Sequence, residues 1–349
     1  MDDEDAGPAS VRPRRAAVMS DVGRLAGVSH QTVSRVINGS RHVSPATRER
    51  VLAAMHELGY RPNSIARALV TGRSWTLGVV SFDTTLYGPA STLFGIERAA
   101  HEAGYFIIVA SLKALDRSSV AEALDRLRLQ AVEGILVIVS EEQAADAVHA
   151  ARADLPLVAV EAGPGHGIPV VAVDQLAGAE AATRHLLELG HRTVWHVAGP
   201  GTSIEAQLRT QAWCDVVTAA GATPPPVLVG DWSAASGYAH GCRLAQEPAA
   251  TAVFVANDQM ALGVVRALHE AGRRIPEDVS VVGFDDIPEA PYFTPPLTTV
   301  RQDFGELGSL SLRTLVRTIE TFKTGQAPPP GHLIAPELMI RCSTAPPAP

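Results

Sequence analysis

Residues 18–73, VMSDVGRLAGVSHQTVSRVINGSRHVSPATRERVLAAMHELGYRPNSIARALVTGR, decide how the amino-terminal part of this chain is read. Ser20 to Ala26 has the spacing of a short helix that buries Val22, Leu25 and Ala26, with Ser20 or Asp21 available as its cap. Gly27 supplies a tight turn where a side chain would crowd two helices, and Ser29 is placed to cap the second helix. On that helix Val33, Val36 and Ile37 recur at i, i+3 and i+4 and face inward. His30, Gln31, Ser34 and Arg35 are left outward near its amino end, the part of a recognition helix that meets base edges in the major groove. A Gln can pair with adenine, and an Arg with guanine, through two hydrogen bonds at once. A third helix follows: Ser44 caps it, Pro45 suits its first turn, Gly59 ends it, and Val51, Leu52, Met55 and Leu58 form its expected buried stripe. The pattern is a helix-turn-helix, and its first implication is DNA binding.

Charge supports that reading over a merely solvated Arg-rich surface. Residues 11–73 hold eleven Arg against Asp21, Glu49 and Glu57, whereas the whole 349-residue chain has a formal net charge of −8. The remainder is therefore strongly acidic, with Asp2, Asp3, Glu4 and Asp5 contributing. Such asymmetry points to a nucleic-acid module joined to something of opposite sign.

From Trp75 onward, β-branched apolar runs alternate with amphipathic Ala- and Leu-rich segments. Strands are expected at 75–82, 105–111, 134–140, 156–161, 170–173, 193–198, 226–230, 252–256, 279–284 and 298–300. Helices are expected at 90–103, 116–129, 175–189, 205–220, 258–271 and 305–323. Continuous apolar strands between helices mean parallel sheets covered on both faces. So many strands exceed one comfortable sheet and imply two doubly wound lobes, with ligands held at the carboxyl ends of the strands. Strand-end residues suited to sugar hydroxyls and ring faces are Arg209, Trp232, Asn257, Asp258, Asp285, Asp286, Gln302 and Phe304.

The runs GVSHQTVSRVIN, HVSPATRERVLAAMHELGYRPN and IARAL resemble the DNA-binding domain of the LacI/GalR family. FVANDQMALG, VVGFDDIPEAPYFTPPLTTVRQDF, GDWSAASGY and AGPGTSIEAQLRTQAW extend the resemblance to the family's effector-binding core, which is similar to periplasmic sugar-binding proteins. The resemblance implies that His30, Gln31 and Arg35 read bases, with Thr32 and Ser34 beside phosphates and Asn38 and His42 making further contacts. Ser29 and Asn63 are grouped with them. It places a hinge helix in the minor groove, with Ala66 on the groove floor and Leu69 as the apolar wedge that kinks the duplex. For the effector it implies contacts from Arg209, Trp232, Asn257, Asp285, Gln302 and Phe304, with Leu86 and Pro89 as an apolar wall. Two departures narrow the cleft: a family serine is Phe82 here, and a family aspartate is Glu161. Keeping Arg209, Asn257, Asp285 and Trp232 together implies a small sugar, with galactosides a first class to consider.

The resulting organisation is an N-terminal all-α helix-turn-helix domain plus an α/β two-lobed periplasmic-binding-protein-like core of doubly wound parallel sheets. Its divisions are a disordered tail at 1–17, the helix-turn-helix at 18–61, a hinge at 62–74, the core at 75–342 and a disordered tail at 343–349. Lobe 1 is expected over about 75–173 and 303–333, and lobe 2 over about 175–300 and 335–342. The partners implied are palindromic operator DNA, a small sugar and a second copy of the chain, since no heptad helix for higher assembly follows Cys342.

Competing classes fare worse. No nucleophile elbow, phosphate loop or HExxH motif is present, and GPGHG at 163–167 is a proline-broken loop. Cys214, Cys242 and Cys342 are scattered singly, so reduced thiols are expected and no metal or cofactor. No apolar run reaches the roughly 20 residues of a membrane helix, and the acidic start lacks a signal peptide's apolar core. The expectation is therefore a cytoplasmic, nucleoid-associated regulator without membrane contact. Release from DNA by the ligand and ligand-dependent DNA binding both remain open.

Overall fold

Helix α1 (Met19–Ala26) begins one residue earlier than its pattern implies, because Asp21 reaches back to accept a 3.1 Å hydrogen bond from the Val18 amide. The computed structural model describes residues 17–37, 42–60, 72–82, 84–112, 117–139, 141, 155–162 and 167–348. The chain divides into two units, Met1–Ser74 and Trp75–Pro349.

In the first unit, α1 is followed by α2 (His30–Ile37) and α3 (Pro45–Glu57). Gly27 takes the left-handed conformation at φ 64°, where a β-carbon would be strained. Ser29 caps α2 by accepting from the Thr32 amide at 3.2 Å, and Ser44 caps α3 by accepting from the Thr47 amide at 3.3 Å. Val22, Ala26, Val33, Val36, Val51 and Ala54 form the miniature core. The pattern also places Leu25, Leu52 and Leu58 inside, and the structure corrects this: they are 46%, 50% and 36% exposed. Three short helices enclose little volume. Small residues at the close approaches, Gly23 and Ala54, take the interior places instead.

The second unit holds two six-stranded sheets. The first contains β1 (Thr76–Phe82), β2 (Phe106–Leu112), β3 (Ile135–Ile138), β4 (Leu157–Val160), β5 (Val170–Val173) and β11 (His332–Ile334), in the order β2-β1-β3-β4-β5-β11. The second contains β6 (Trp195–Ala198), β7 (Leu228–Val229), β8 (Ala252–Val255), β9 (Ser280–Asp285), β10 (Thr298–Arg301) and β12 (Glu337–Met339), in the order β7-β6-β8-β9-β10-β12. Every pairing is parallel except β10 with β12. Helices α4 (Tyr87–Glu102), α5 (Arg117–Leu129) and α10 (Phe304–Thr324) pack on the first sheet. Helices α6 (Gln175–Glu188), α7 (Ile204–Ala219), α8 (Ala234–Ala245) and α9 (Asp258–Glu270) belong to the second. The chain crosses between lobes from β5 to α6, from β10 to α10 and from β11 to β12. Central strands bury both faces, with Leu136, Val158, Val253, Val281 and Val282 at 0–1% exposure, which is why their sequences run apolar without alternation.

Residues 343–349 carry the proline-rich composition of a disordered tail, but Ser343 to Ala345 are tied down. The buried Ser343 hydroxyl donates to the Val281 carbonyl and accepts from the Thr298 amide at 2.8 Å. The Ala345 amide donates to the Ser280 hydroxyl at 3.0 Å. The amino-terminal ends of the interior strands β9 and β10 thereby gain partners that composition cannot reveal.

Candidate DNA-reading face and effector cleft

On α2, His30, Gln31 and Arg35 are exposed, while Val33 and Val36 hold the opposite face in the core. Thr32 and Ser34 are half-buried on the flanks, and the Ser29 and Thr32 hydroxyls lie 3.0 Å apart. His42 is exposed just before α3. Asn38, Asn63, Ala66 and Leu69 lie outside the described residues. The exposed face therefore offers a planar amide, a guanidinium and an imidazole from one helix, a set suited to base edges.

In the core, the carboxyl ends of the strands meet in a cavity of about 500 Å³ between the lobes. Leu86, Pro89, Glu161, Arg209, Trp232, Asn257, Asp285, Gln302 and Phe304 all line it, as does Phe82. These residues are brought together from the ends of β1, β4, β9 and β10, from the starts of α4, α9 and α10, from the turn before α8 and from α7. Both sheets change strand order at β1/β3 and β6/β8, which opens the crevice on that side. Asp258 and Asp286 do not line the cavity. Asp258 accepts from the Thr299 hydroxyl at 2.6 Å and the Ile287 amide at 2.9 Å, and Asp286 pairs with Arg301 at 2.7 Å and Arg341 at 2.6 Å.

Arg209 is the centre of the site. It is 4% exposed, stacks at 3.7 Å on the Phe284 ring and lies 5.6 Å from the Trp232 ring. Its Nε donates to Gln175 at 2.9 Å, its Nη1 donates to the Ala256 carbonyl, and its Nη2 lies 3.8 Å from Asp285. Gln175 continues the chain by donating to Gln302 at 2.9 Å, and Gln302 donates to Asp285 at 2.7 Å. Gln175 also reaches Glu161 at 3.4 Å. Asn257 caps α9 through the Met260 amide at 2.9 Å and holds the Trp232 carbonyl at 3.1 Å. Trp232, Asp285 and Glu161 adopt positive φ values of 71°, 110° and 61°. Backbone strain of this kind persists where the surroundings over-determine a functional position.

The acids of the cleft hold their protons unusually tightly. Burial pushes the Glu161 carboxyl up to about 8, and the neighbouring Glu205 charge adds to it. Burial likewise raises Glu205 to about 7 and Asp285 to about 6, the latter opposed by Arg209 and the Gln302 hydrogen bond. Glu161 is 8% exposed, whereas Glu205 is half-buried and keeps more contact with solvent. Sequence reasoning passes over Gln175, Ser203 and Glu205, since an acid and a serine opening a helix look like ordinary capping. Their signal lies in position: each lies at the start of a helix that follows a strand. Ser203 also forms a backbone bridge to Glu141, joining the lobes beside the cavity. Among the described residues, no three His, Cys, Asp or Glu side chains converge to hold a metal ion.

A family model described as bacterial regulatory proteins, lacI family, matches residues 18–63, and a periplasmic binding protein-like domain matches residues 183–344. The lactose operon repressor of Escherichia coli (strain K12) is 36% identical over 335 residues, covering 95% of this chain and 92% of that one. The chain belongs to the LacI family. The ribose operon repressor of the same organism is 34% identical over 308 residues, covering 87% of this chain and 93% of its own. The crystal structure of the lac repressor dimer bound to operator and the anti-inducer ONPF superimposes with a TM-score of 0.83 at 35% identity, covering 95% of this chain and all of that chain. As a LacI-family member the chain is a DNA-binding transcriptional regulator with a periplasmic-binding-protein-like ligand domain. Among its described residues, no helix is long and apolar enough to cross a membrane.

Proposed function

We propose that this LacI-family regulator is a cytoplasmic, non-enzymatic repressor that binds a palindromic operator as a homodimer and is released by a small sugar seated in the interlobe cleft. The convergence of Arg209, Trp232, Asn257, Asp285 and Gln302 on one cavity carries the reading. A buried guanidinium, two amides and a carboxylate offer paired donors and acceptors for adjacent hydroxyls, while Trp232 and Phe304 supply faces for the apolar side of a ring. Gln31, Arg35 and His30 are assigned sequence choice, and basic side chains around them the salt-dependent affinity for phosphates.

The proposed dimer is supported by apolar side chains left outward on both lobes. Phe106 and Val109 on the edge strand β2 are 68% and 43% exposed, and Phe94 on α4 is 65% exposed. On the second lobe Leu262 and Tyr292 are 50% and 85% exposed and border a shallow groove with Val265 and Phe293. An open sheet edge and apolar patches of this kind are covered in assembled proteins. The effector acts only through its difference in affinity between the DNA-competent and released arrangements.

The test is an operator-release titration across a sugar panel that begins with galactosides. For the best sugar, Arg209→Lys, which keeps charge but loses the planar fork, should raise the concentration for half-release by about tenfold or more. Release at an unchanged concentration would remove Arg209 from the effector site.

A further inference from the structure

Two carboxylates face the cavity from opposite lobes. Glu161 follows β4 in the first lobe, and Glu205 lies in the first turn of α7 in the second. Among the described residues neither has a Lys, Arg or His within ion-pair distance, for Arg209 directs its nitrogens to Gln175, Ala256 and Asp285. The hydrogen bonds Glu161 does receive, from the Val173 amide and Gln175, are both 3.4 Å long. Glu205 accepts from the Ser203 hydroxyl at 2.8 Å. Glu141, Asp231 and Asp285 line the same cavity, and Arg209 is the one basic side chain on its described wall. Tyr87 adds a hydroxyl, not a cation. The cleft therefore holds more acid than its own base can neutralise.

A second observation points to a ligand. Thr92 lines the cavity at 1% exposure, and its Oγ1 makes no hydrogen bond among the described residues. A buried hydroxyl without a partner is costly, and a small movement of the cavity wall around a bound polar molecule would let that molecule satisfy it.

We infer that the effector is a sugar carrying a free, protonated amine, whose ammonium lies between Glu161 of one lobe and Glu205 of the other. This rests on the sugar reading above and narrows it. Two ionised carboxylates facing each other here would repel, and the free cleft avoids this by keeping a proton on Glu161. A cation between them turns that repulsion into attraction from both sides, which favours lobes drawn together around the ligand. An ammonium has three donors and no acceptor, and this corner of the cleft is rich in acceptors. An anionic substituent would meet only carboxyl groups in this corner, which disfavours sugar phosphates and uronic acids. Because burial keeps Glu161 protonated near neutrality, amine binding must also displace its proton.

Calorimetry on the full-length protein at pH 7 tests this with free hexosamine, hexose, N-acetylhexosamine and hexose 6-phosphate in the gluco and galacto series. In whichever series binds, the hexosamine should be about tenfold or more tighter than the neutral sugars and the phosphate weakest. Titration in buffers of different ionisation enthalpy should report proton release with the amine alone. Glu161→Gln and Glu205→Gln should each shrink the preference to about threefold or less, and each replaces a carboxyl with an amide of nearly the same shape. Equal affinity for hexose and hexosamine overturns the inference and leaves the sugar reading standing. A preference unchanged in both variants overturns the placement of the ammonium. If no sugar of any class binds, the sugar reading falls with it.

Discussion

Glu161 is held just past the end of β4 at φ 61° and 8% exposure, with a carboxyl raised from 4.5 to about 8 by burial and by the Glu205 charge. A group that binds its proton more tightly when folded contributes stability that is fully present below its unfolded pKa and is lost as pH rises through the folded one. For Glu161 that window runs from about pH 4.5 to about 8, and Glu205 and Asp285 act in the same sense with upper limits near 7 and 6. His196, stacked between Phe254 and Trp213 and lowered to about 4 by burial, works oppositely: its contribution is present above about 6.5 and lost as pH falls through about 4. The core should therefore lose thermal stability between pH 6 and pH 8.5, and Glu161→Gln should flatten that decline. A tenfold change in proton affinity is worth about 1.4 kcal/mol, which bounds the effect at a few kcal/mol. Scanning calorimetry of both proteins across that range checks it, and an identical slope in the variant would remove Glu161 as the cause. Arg209 and Asp285 are legible in the sequence because an isolated charge in an apolar lobe demands a partner. Glu205 is not, because its meaning depends on a carboxylate from the other lobe.

At the scale of elements, strands and most helices follow from apolar periodicity, and the exceptions have physical reasons. Helix α8 escapes the pattern because Gly237 and Gly241 read as helix breakers. In the fold they are the contact surface: a β-carbon on Gly237 would sit 2.1 Å from the Met260 carbonyl oxygen, and one on Gly263 of α9 would sit 2.0 Å from that of Ala234. The two helices thus meet backbone to backbone, closer than any side chain allows. Strands β11 and β12 escape because three residues each, in a Pro-rich stretch, give no alternation to detect; they form only because the sheets offer an open edge. The exposed Leu25, Leu52 and Leu58 show the converse, since helical spacing fixes a face but not what lies opposite it. Gly263→Ala should cost about 1–3 kcal/mol, the range for overpacking a closely fitted contact. Denaturant titration of the core measures it directly. A loss under about 0.5 kcal/mol, within the spread of neutral surface changes, would mean that α8 and α9 can slide apart freely.

At the scale of the molecule, a basic reading unit is joined to an acidic, ligand-binding core within a chain of net charge −8. One reading helix per chain covers one half-site, so affinity for a palindrome depends on a second copy held at fixed spacing. Joining two readers makes the second contact effectively intramolecular and strengthens binding by orders of magnitude without any new contact to DNA. The outward Leu262 and Tyr292 lie on the second lobe, remote in sequence from α2, which allows assembly to be separated from reading. Leu262→Asp combined with Tyr292→Asp places two charges on the apolar groove and should convert dimers to monomers in sedimentation equilibrium. Operator affinity should then fall by about 100-fold or more, while binding to a single half-site stays as weak as in the parent protein. Because both residues are exposed, with side chains outside the packed core, the thermal midpoint of the monomer should remain close to the parent's at high dilution. Dimers that persist with unchanged operator affinity would show that this groove is not where the copies meet, and would leave the β2 edge with Phe106 and Val109 as the surface to alter.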